Sequence, residues 1–209
     1  MGFDSEHHDR DNIGIMHSII LASGSPYRKQ LLEQAGYMVT AVASGVDEPE
    51  LTAFPDLRAG LIYLAHLKAR AVQQRGHTGF ILGADTVSLV GGQILGKPVD
   101  RPDALRMLRL LSGAAHQVLT GWCWLRSSDG LSCSGVEQTA ITMRDWTEPE
   151  IGAYLDGGEW QGKCGAYGLQ VPVDPFVISL TGSPSNVIGL PLERLESVWR
   201  EFPGLAPSR

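Results

Sequence analysis

The hydrophobic and polar positions of this chain follow two periodicities in turn, which predicts strands interleaved with helices. Apolar runs bounded by turn residues predict strands at 19–22, 37–42, 81–90, 116–125, 136–143 and 176–180. Periods near 3.6 with capping signals predict helices at 26–35, 57–74, 102–111, 148–156 and 192–202. Glycines 91 and 92 predict a tight hairpin into a further strand at 93–97. This mixture predicts an α/β fold with a mixed sheet, and the pattern leaves one lobe or two open.

Two charged side chains fall on faces that the pattern predicts to be buried. Strand alternation puts Asp85 on the same face as Ile81 and Val87. Lys68 falls near the centre of the apolar stripe of the helix at 57–74. Because an unpaired charge in a core is costly, both must face a polar cleft, an ion or each other. A functional site is favoured, and a buried ion pair or a misread register is the alternative.

Composition narrows the function classes. The 209 residues are 43% hydrophobic and 19% charged, with a net charge of −6, which is ordinary for a folded domain. No basic run interleaved with aromatics occurs, so nucleic-acid binding is disfavoured, although a few cations could hold a small anionic ligand. No apolar run approaches a membrane span, and three cysteines without CxxC spacing indicate a reducing, cytoplasmic location. We expect residues 1–17 to be a disordered extension and 18–209 a single domain.

A turn between the first strand and the first helix has the residues of an anion site. Ser25 is the predicted cap and Pro26 the first helical residue, while Ser23 and Arg28 add a hydroxyl and a forked cation. Phosphate fits such a helix start. The alternative is a plain capped helix with a surface arginine.

Two further segments offer charge near Asp85. Glu48 lies in an acidic turn before proline, usually a solvated feature, yet with Asp85 it could complete an oxygen-ligand site for Mg²⁺ or Mn²⁺. The hairpin would pair Thr86 with Lys97 and set Lys97 on the face opposite Asp85, unless a bulge at Gly96 re-aims it. Lys97 as a solvent-facing strand residue is the alternative.

Glycine-rich segments at 165–170 and 182–192 allow close backbone approach, and Gln170 offers a donor and an acceptor for a base edge. Such glycines also mark ordinary turns. No GxSxG motif occurs, and His116 is expected to be a packed or solvent-facing strand histidine rather than a catalytic one.

These segments, in this order, resemble the Maf family of nucleoside triphosphate pyrophosphatases. The resemblance rests on LASGSPYRKQLLEQAG, VDE, LAHLKARA, LGADTVSLVGGQILGKPVD, ALRMLRLLSGAAHQVLTG, GAYGLQ and GSPSNVIGLPL, which span nearly all of the chain after about Ser18. It implies an elongated mixed α/β fold, related to the inosine triphosphate pyrophosphatases, with two lobes around a cleft. It also implies cleavage of a nucleoside triphosphate to the monophosphate and pyrophosphate with a divalent cation, and it makes a homodimer an expectation.

The resemblance assigns roles residue by residue. Asp85 resembles the family's proton acceptor, and the other active-site positions fall on Ser23, Arg28, Glu48, Lys68, Lys97 and Gln170. Glu48 would share the metal with Asp85. The three cations Arg28, Lys68 and Lys97 would offset charge on the phosphates and on the leaving pyrophosphate.

Three positions bear on the base. The family's dTTP- and UTP-cleaving branch typically has Arg where this chain has Tyr27. At the positions of Thr86 and Gln170 that branch has Thr and Gln, as this chain does. A 7-methyl-GTP branch usually has an aromatic residue at the Tyr27 position, and an aromatic ring favours a cationic purine. Residues 171–174 also depart from the family's usual glycine-rich turn. The sequence therefore favours dTTP, UTP or modified pyrimidine nucleotides, with 7-methyl-GTP as the alternative.

A different class of function is a nucleotide-binding regulator of cell division, because the family name is associated with inhibition of septum formation. The complete set of charged residues favours the enzyme, since a protein that only binds nucleotide needs no base beside the phosphates.

Overall fold

One seven-stranded sheet carries the fold in the computed structural model, which describes residues 17–169 and 174–201. The strands are β1 (Ser18–Leu21), β2 (Met38–Ala41), β3 (Phe80–Val90), β4 (Gln93–Leu95), β5 (Ala115–Arg126), β6 (Ser132–Met143) and β7 (Val177–Thr181). The helices are α1 (Pro26–Gln34), α2 (Leu57–Gln74), α3 (Arg101–Leu111), α4 (Glu148–Asp156), α5 (Pro184–Ile188) and α6 (Leu192–Glu201). Short 3₁₀ turns lie at Leu51–Ala53 and Cys164–Ala166.

The sheet is mixed, as the sequence predicts. Its strand order is β2-β1-β3-β5-β6-β7, with β4 paired to β3 off this path. The strand β1 runs parallel to both of its neighbours, and the remaining pairs are antiparallel. The long strands β3 and β5 form the centre, where Asp85 pairs with Gly121 and Thr86 with Thr120.

Local signals set the helix starts. The Asp56 side chain accepts hydrogen bonds from the first turn of α2, and Thr147 with Glu150 forms the predicted capping box of α4. The predicted helices and strands are confirmed to within a few residues, but α5 was missed. Its five residues lie between Gly182 and Gly189, and so short a helix has too little periodicity to be recognised.

The predicted strand at 93–97 is wrong over its last two residues. The hairpin register is as expected, with Val90 opposite Gln93, but the ladder ends at Leu95. The carbonyl oxygen of Gly96 instead accepts a hydrogen bond from the Gly165 backbone nitrogen at 2.9 Å. This contact with a distant segment draws the chain away from β3 before Lys97.

The core has two main parts at opposite ends of the long strands. One cluster packs α3 and α4 on the sheet and includes Val90, Leu108 and Tyr154. The other packs α1 and α6 on it and includes Leu82 and Trp199. Because β3 contributes to both clusters, its middle residues lie between them, which agrees with two lobes around a cleft.

Two predictions concern the N-terminal segment and the domain boundaries. The predicted extension 1–17 lies outside the described residues except for His17, and the single domain at 18–209 stays a prediction. In the ranges 17–169 and 174–201, no helix is both long and apolar enough to cross a bilayer.

His116 is a buried residue of β5, which is the packed alternative of the sequence prediction. Burial in the core disfavours the charged imidazolium and lowers the pKa of His116 from 6.5 to about 4. The unfolded chain therefore binds one more proton than the folded chain between these two pKa values. Stability contributed by the neutral imidazole is present above pH 6.5 and is lost as the pH falls toward 4.

We therefore expect acid to destabilise the protein through His116. Between pH 7.5 and pH 5 the parent should lose roughly 2 kcal/mol more unfolding free energy than His116→Gln, which has no titrating group there. Urea unfolding at the two pH values measures this difference. His66, whose pKa burial also lowers, is present in both proteins and cancels in the comparison. Equal losses in the two proteins would show that His116 does not carry the acid sensitivity.

Candidate active site

A cleft of about 1020 Å³ opens beside the middle of β3. Its lining includes residues of α1, α2 and α5, the loop at 43–52 and the segment at 162–169. Eight predicted site residues lie along it: Ser23, Tyr27, Arg28, Glu48, Lys68, Asp85, Thr86 and Lys97. The ninth, Gln170, lies outside the described residues.

The two misplaced charges meet in this cleft. Lys68 Nζ donates to Asp85 Oδ1 at 2.5 Å and lies 2.9 Å from Glu48 Oε2. The Lys68 side chain is 8% exposed, whereas that of Glu48 is 42% exposed. Lys68 therefore lies at the buried bottom of the cluster, and Glu48 approaches it from the solvent side. The buried ion pair and the polar cleft, which the sequence offered as alternatives, occur together.

Two glycines allow α2 to bring Lys68 this close to the sheet. A Cβ atom added at Gly83 would lie 2.1 Å from the carbonyl oxygen of Ala65, and one at Gly121 would lie 2.4 Å from that of Leu61. No side chain fits in either place, so the helix backbone rests directly on β3 and β5. Because Gly83 and Gly121 lack Cβ atoms, α2 lies close enough to the sheet for Lys68 to reach Asp85.

Arg28 forms a second fixed charge at the base of the cleft. Its Nε donates to the Gly189 carbonyl oxygen at 2.9 Å, and its Nη1 donates to the Ala84 carbonyl oxygen at 3.0 Å and to Ser23 Oγ at 3.2 Å. Its Nη2 donates to Thr86 Oγ1 at 2.8 Å. The guanidinium is buried, and desolvation lowers its pKa, so the surface-arginine alternative is wrong. These bonds fix the orientation of the guanidinium plane.

Several supporting residues escaped the sequence analysis. Thr86 Oγ1 lies 2.9 Å from Thr120 Oγ1, whose hydroxyl also donates to the Asn186 carbonyl oxygen at 3.3 Å. The buried Asn186 amide nitrogen donates to the Val118 carbonyl oxygen and to Thr139 Oγ1, each at 3.1 Å. This network fixes α5 and hence the Gly189 carbonyl. Only the β3–β5 register could have identified Thr120, because it faces Thr86 across the ladder.

Lys97 lies on the cleft because the chain leaves the ladder after Leu95. Of the placements that the sequence left open for Lys97, the one on the face opposite Asp85 is wrong, because both residues line the same cleft. Lys97 is exposed, and it forms no ion pair with any residue in the described ranges. It is the mobile type of cation, on a flexible stem, in contrast to Lys68 and Arg28.

Cys164 is a further cleft residue, but its environment keeps it protonated. Its Sγ donates to the Leu95 carbonyl oxygen at 2.9 Å, and burial raises its pKa to about 12. A thiol is a poor nucleophile when its pKa is this high. The geometry therefore does not support covalent catalysis by Cys164.

Glu48 and Asp85 offer the oxygen ligands that a divalent cation prefers. Glu48 and Asp85 each place an oxygen within 3 Å of the same atom, Lys68 Nζ. Across residues 17–169 and 174–201, no group of three or more His, Cys, Asp or Glu side chains could hold a metal. Mg²⁺ is commonly held by one or two carboxylates with phosphates and waters, so this donor set suits it.

Comparison with known proteins places the chain in a family. The model for the family described as Maf-like protein matches residues 18–202. A dTTP/UTP pyrophosphatase of Ruminiclostridium cellulolyticum is 40% identical over 86% of this chain and 93% of its own length. One of Geobacillus sp. is 44% identical over 86% and 95%, respectively. The solved Ham1 protein of Staphylococcus aureus is similar with a TM-score of 0.43 and 13% sequence identity, over 61% of this chain and 72% of that protein.

The contact between α2 and the sheet can be tested at Gly83. We expect Gly83→Ala to lower the unfolding free energy by roughly 1–3 kcal/mol, because the added methyl forces α2 outward. Gly152→Ala in α4 is the matched control, since an added Cβ there meets nothing within 4 Å. It should leave stability unchanged or raise it by about 0.5–1 kcal/mol. Urea unfolding compares the three proteins, and equal stability of Gly83→Ala and parent would refute the close packing.

Proposed function

This chain belongs to the Maf-like protein family, and on that premise we propose that it hydrolyses dTTP, UTP or modified pyrimidine nucleotides to the monophosphate and pyrophosphate. The names of the relatives support the reaction and the pyrimidine base. The observation that carries the proposal is Lys68 bridging Asp85 and Glu48 at the base of the cleft. That cluster offers a carboxylate that can accept a proton and buried positive charge that can stabilise a phosphoryl transition state.

We assign the proton transfer to Asp85. Its carboxylate would accept a proton from the water that attacks the α-phosphorus. The bond from the α-phosphorus to the oxygen that bridges to the β-phosphorus would break, and pyrophosphate would leave with that oxygen. The bond from Lys68 holds this carboxylate toward the cleft and limits its rotation. Lys68 also supplies positive charge where negative charge grows in the transition state.

Three other residues have roles on the phosphates. Arg28, held by Gly189, Ala84 and Thr86, keeps a fixed cation under the triphosphate, with Ser23 beside it. Lys97 is exposed and free to move, so it can follow the pyrophosphate as it leaves. Arg28 would thus position the triphosphate, and Lys97 would neutralise the charge of the leaving pyrophosphate.

A divalent cation would be held by Glu48 and Asp85 and would neutralise phosphate charge and polarise the phosphorus. Mg²⁺ and Mn²⁺ both suit these oxygen ligands. Lys68 now lies between the two carboxylates, so we expect the ion to arrive with the nucleotide. Homodimer formation and a cytoplasmic location stay predictions.

The role of Asp85 predicts a large loss on its replacement. Asp85→Asn should lower the turnover of dTTP and UTP by roughly 10²–10⁴-fold, because the amide cannot accept the proton. Pyrophosphate release with Mg²⁺ or Mn²⁺ measures this loss. Asp47→Asn is the matched control, an exposed carboxylate next to Glu48 that does not line the cleft. Activity of Asp85→Asn within a few-fold of the parent would remove Asp85 from this role.

The position of Lys68 between two carboxylates predicts how the metal binds. Without nucleotide, Lys68→Met should bind Mn²⁺ at least about tenfold more tightly than the parent, because the competing ammonium is gone. Isothermal titration and the electron paramagnetic resonance signal of free Mn²⁺ report binding directly. Adding Glu48→Gln to Lys68→Met should abolish the gain. Unchanged Mn²⁺ affinity in Lys68→Met would show that the carboxylates are not the metal ligands.

A further inference from the structure

Lys163 places a fourth cation on the wall of the cleft, next to Tyr27 and in addition to Arg28, Lys68 and Lys97. Its Nζ lies 5.1 Å from the centroid of the Tyr27 ring, within the range of a cation–π contact. Both residues line the cleft, and the Lys163 side chain is only 15% exposed. This cation is separate from the cluster around Asp85 and has no role in the reaction proposed above.

The surrounding backbone holds the Lys163 side chain in place. A Cβ added at Gly168 would lie 2.5 Å from Lys163 Nζ and 2.7 Å from its Cδ and Cε, so the stem passes directly beneath that glycine. The partner Glu159 is 3.8 Å away and 53% exposed, a long contact that offsets little of the charge. The ammonium therefore keeps donors and net charge for a ligand.

The Tyr27 end of the cleft is where a base would lie. In the described ranges, two aromatic residues line the cleft, Tyr27 and Tyr167. Tyr167 is buried, and its hydroxyl donates to Asp174, so its ring belongs to the core. Tyr27 is half-buried and offers the ring surface on which a base can stack. The phosphates would point away from it, toward Lys68 and Asp85.

We propose that Lys163 determines base specificity, by favouring neutral bases rich in carbonyl oxygens and disfavouring bases that carry a positive charge. Thymine and uracil present two carbonyl oxygens, which accept hydrogen bonds from an ammonium. A 7-methylguanine base carries a positive charge, and the ring that would attract it already holds a cation. The Tyr27 ring therefore does not act as a free aromatic cage. This inference rests on the proposed nucleotide hydrolysis.

The decisive variant is Lys163→Met, which keeps an unbranched stem beneath Gly168 and removes the charge. Pyrophosphate release is measured with UTP, dTTP, GTP and 7-methyl-GTP. The ratio of kcat/KM for 7-methyl-GTP to that for GTP should rise at least about tenfold, because these purines differ in charge at the base. The UTP and dTTP values should fall, mainly through KM, because a base contact is lost.

Two controls separate charge from packing. Lys163→Arg keeps the charge and should retain the preference of the parent for uncharged bases. Lys29→Met removes an exposed lysine two residues from Tyr27 that does not line the cleft, and it should leave kcat/KM for all four nucleotides unchanged. Thermal unfolding of each variant confirms that the fold is intact.

The outcomes test the specificity role of Lys163 separately from the proposed nucleotide hydrolysis. If Lys163→Met lowers kcat/KM for all four nucleotides by the same factor, Lys163 acts on the phosphates and the specificity role is refuted. Unchanged ratios refute it as well. If the parent hydrolyses none of the four, the proposed function fails, and titration of UMP and 7-methyl-GMP then tests Lys163 by binding alone. In that titration, Lys163→Met should gain affinity for 7-methyl-GMP relative to UMP, and an unchanged ratio would overturn the inference.

Discussion

The charge of Lys68 constrains the arrangement of this molecule more than any other single group. An ammonium that is 8% exposed must be paired, and Asp85 and Glu48 pair with it from two different segments. The pairing holds only if α2 rests on the sheet at backbone distance, which the missing side chains of Gly83 and Gly121 permit. Packing and chemistry are thus coupled, because the contact that closes the core also sets the geometry of the cleft.

The three cations Arg28, Lys68 and Lys97 differ in how firmly their side chains are held, and the difference follows from their partners. Arg28 makes four hydrogen bonds, three of them to Gly189, Ala84 and Thr86, and Lys68 is fixed by two carboxylates. Lys97 is exposed at the point where the chain leaves the β3 ladder. Prearranged charges cost no reorganisation during a reaction, while a mobile one adapts to a departing group. The cleft therefore combines a rigid floor, with Arg28 and Lys68, and an adaptable rim at Lys97.

A polar network behind the cleft keeps the floor of the cleft rigid. Thr120 and Asn186 are buried, and their bonds tie α5 to the strands β5 and β6. In turn, α5 presents the Gly189 carbonyl that receives Arg28. Such networks specify one arrangement because each buried polar group needs its partner. Tyr27, in the first turn of α1, and Lys163, just before the 3₁₀ turn at Cys164–Ala166, form another part of the cleft wall.

The sequence by itself determined the elements and their faces. Caps and periodicity located the helices, alternation put Asp85 on a buried face, and the glycine pair fixed the hairpin register. Two charges of opposite sign at buried positions already indicated a site. The sequence pattern missed the very short helix α5 and extended β4 by two residues, and a distant backbone contact decided the position of Lys97, which the pattern had left open.

Only the tertiary structure decided which of these residues meet. Arg28 contacts Gly189 across 161 positions of the chain, and Lys163 comes to lie on Tyr27. Neither contact follows from residue spacing, because spacing describes neighbours along one element and not the packing of separate elements. The chain encodes which side chains are buried or charged. Close packing of distant backbone segments decides which charges share a cleft, since it sets the distances on which electrostatics and hydrogen bonds depend.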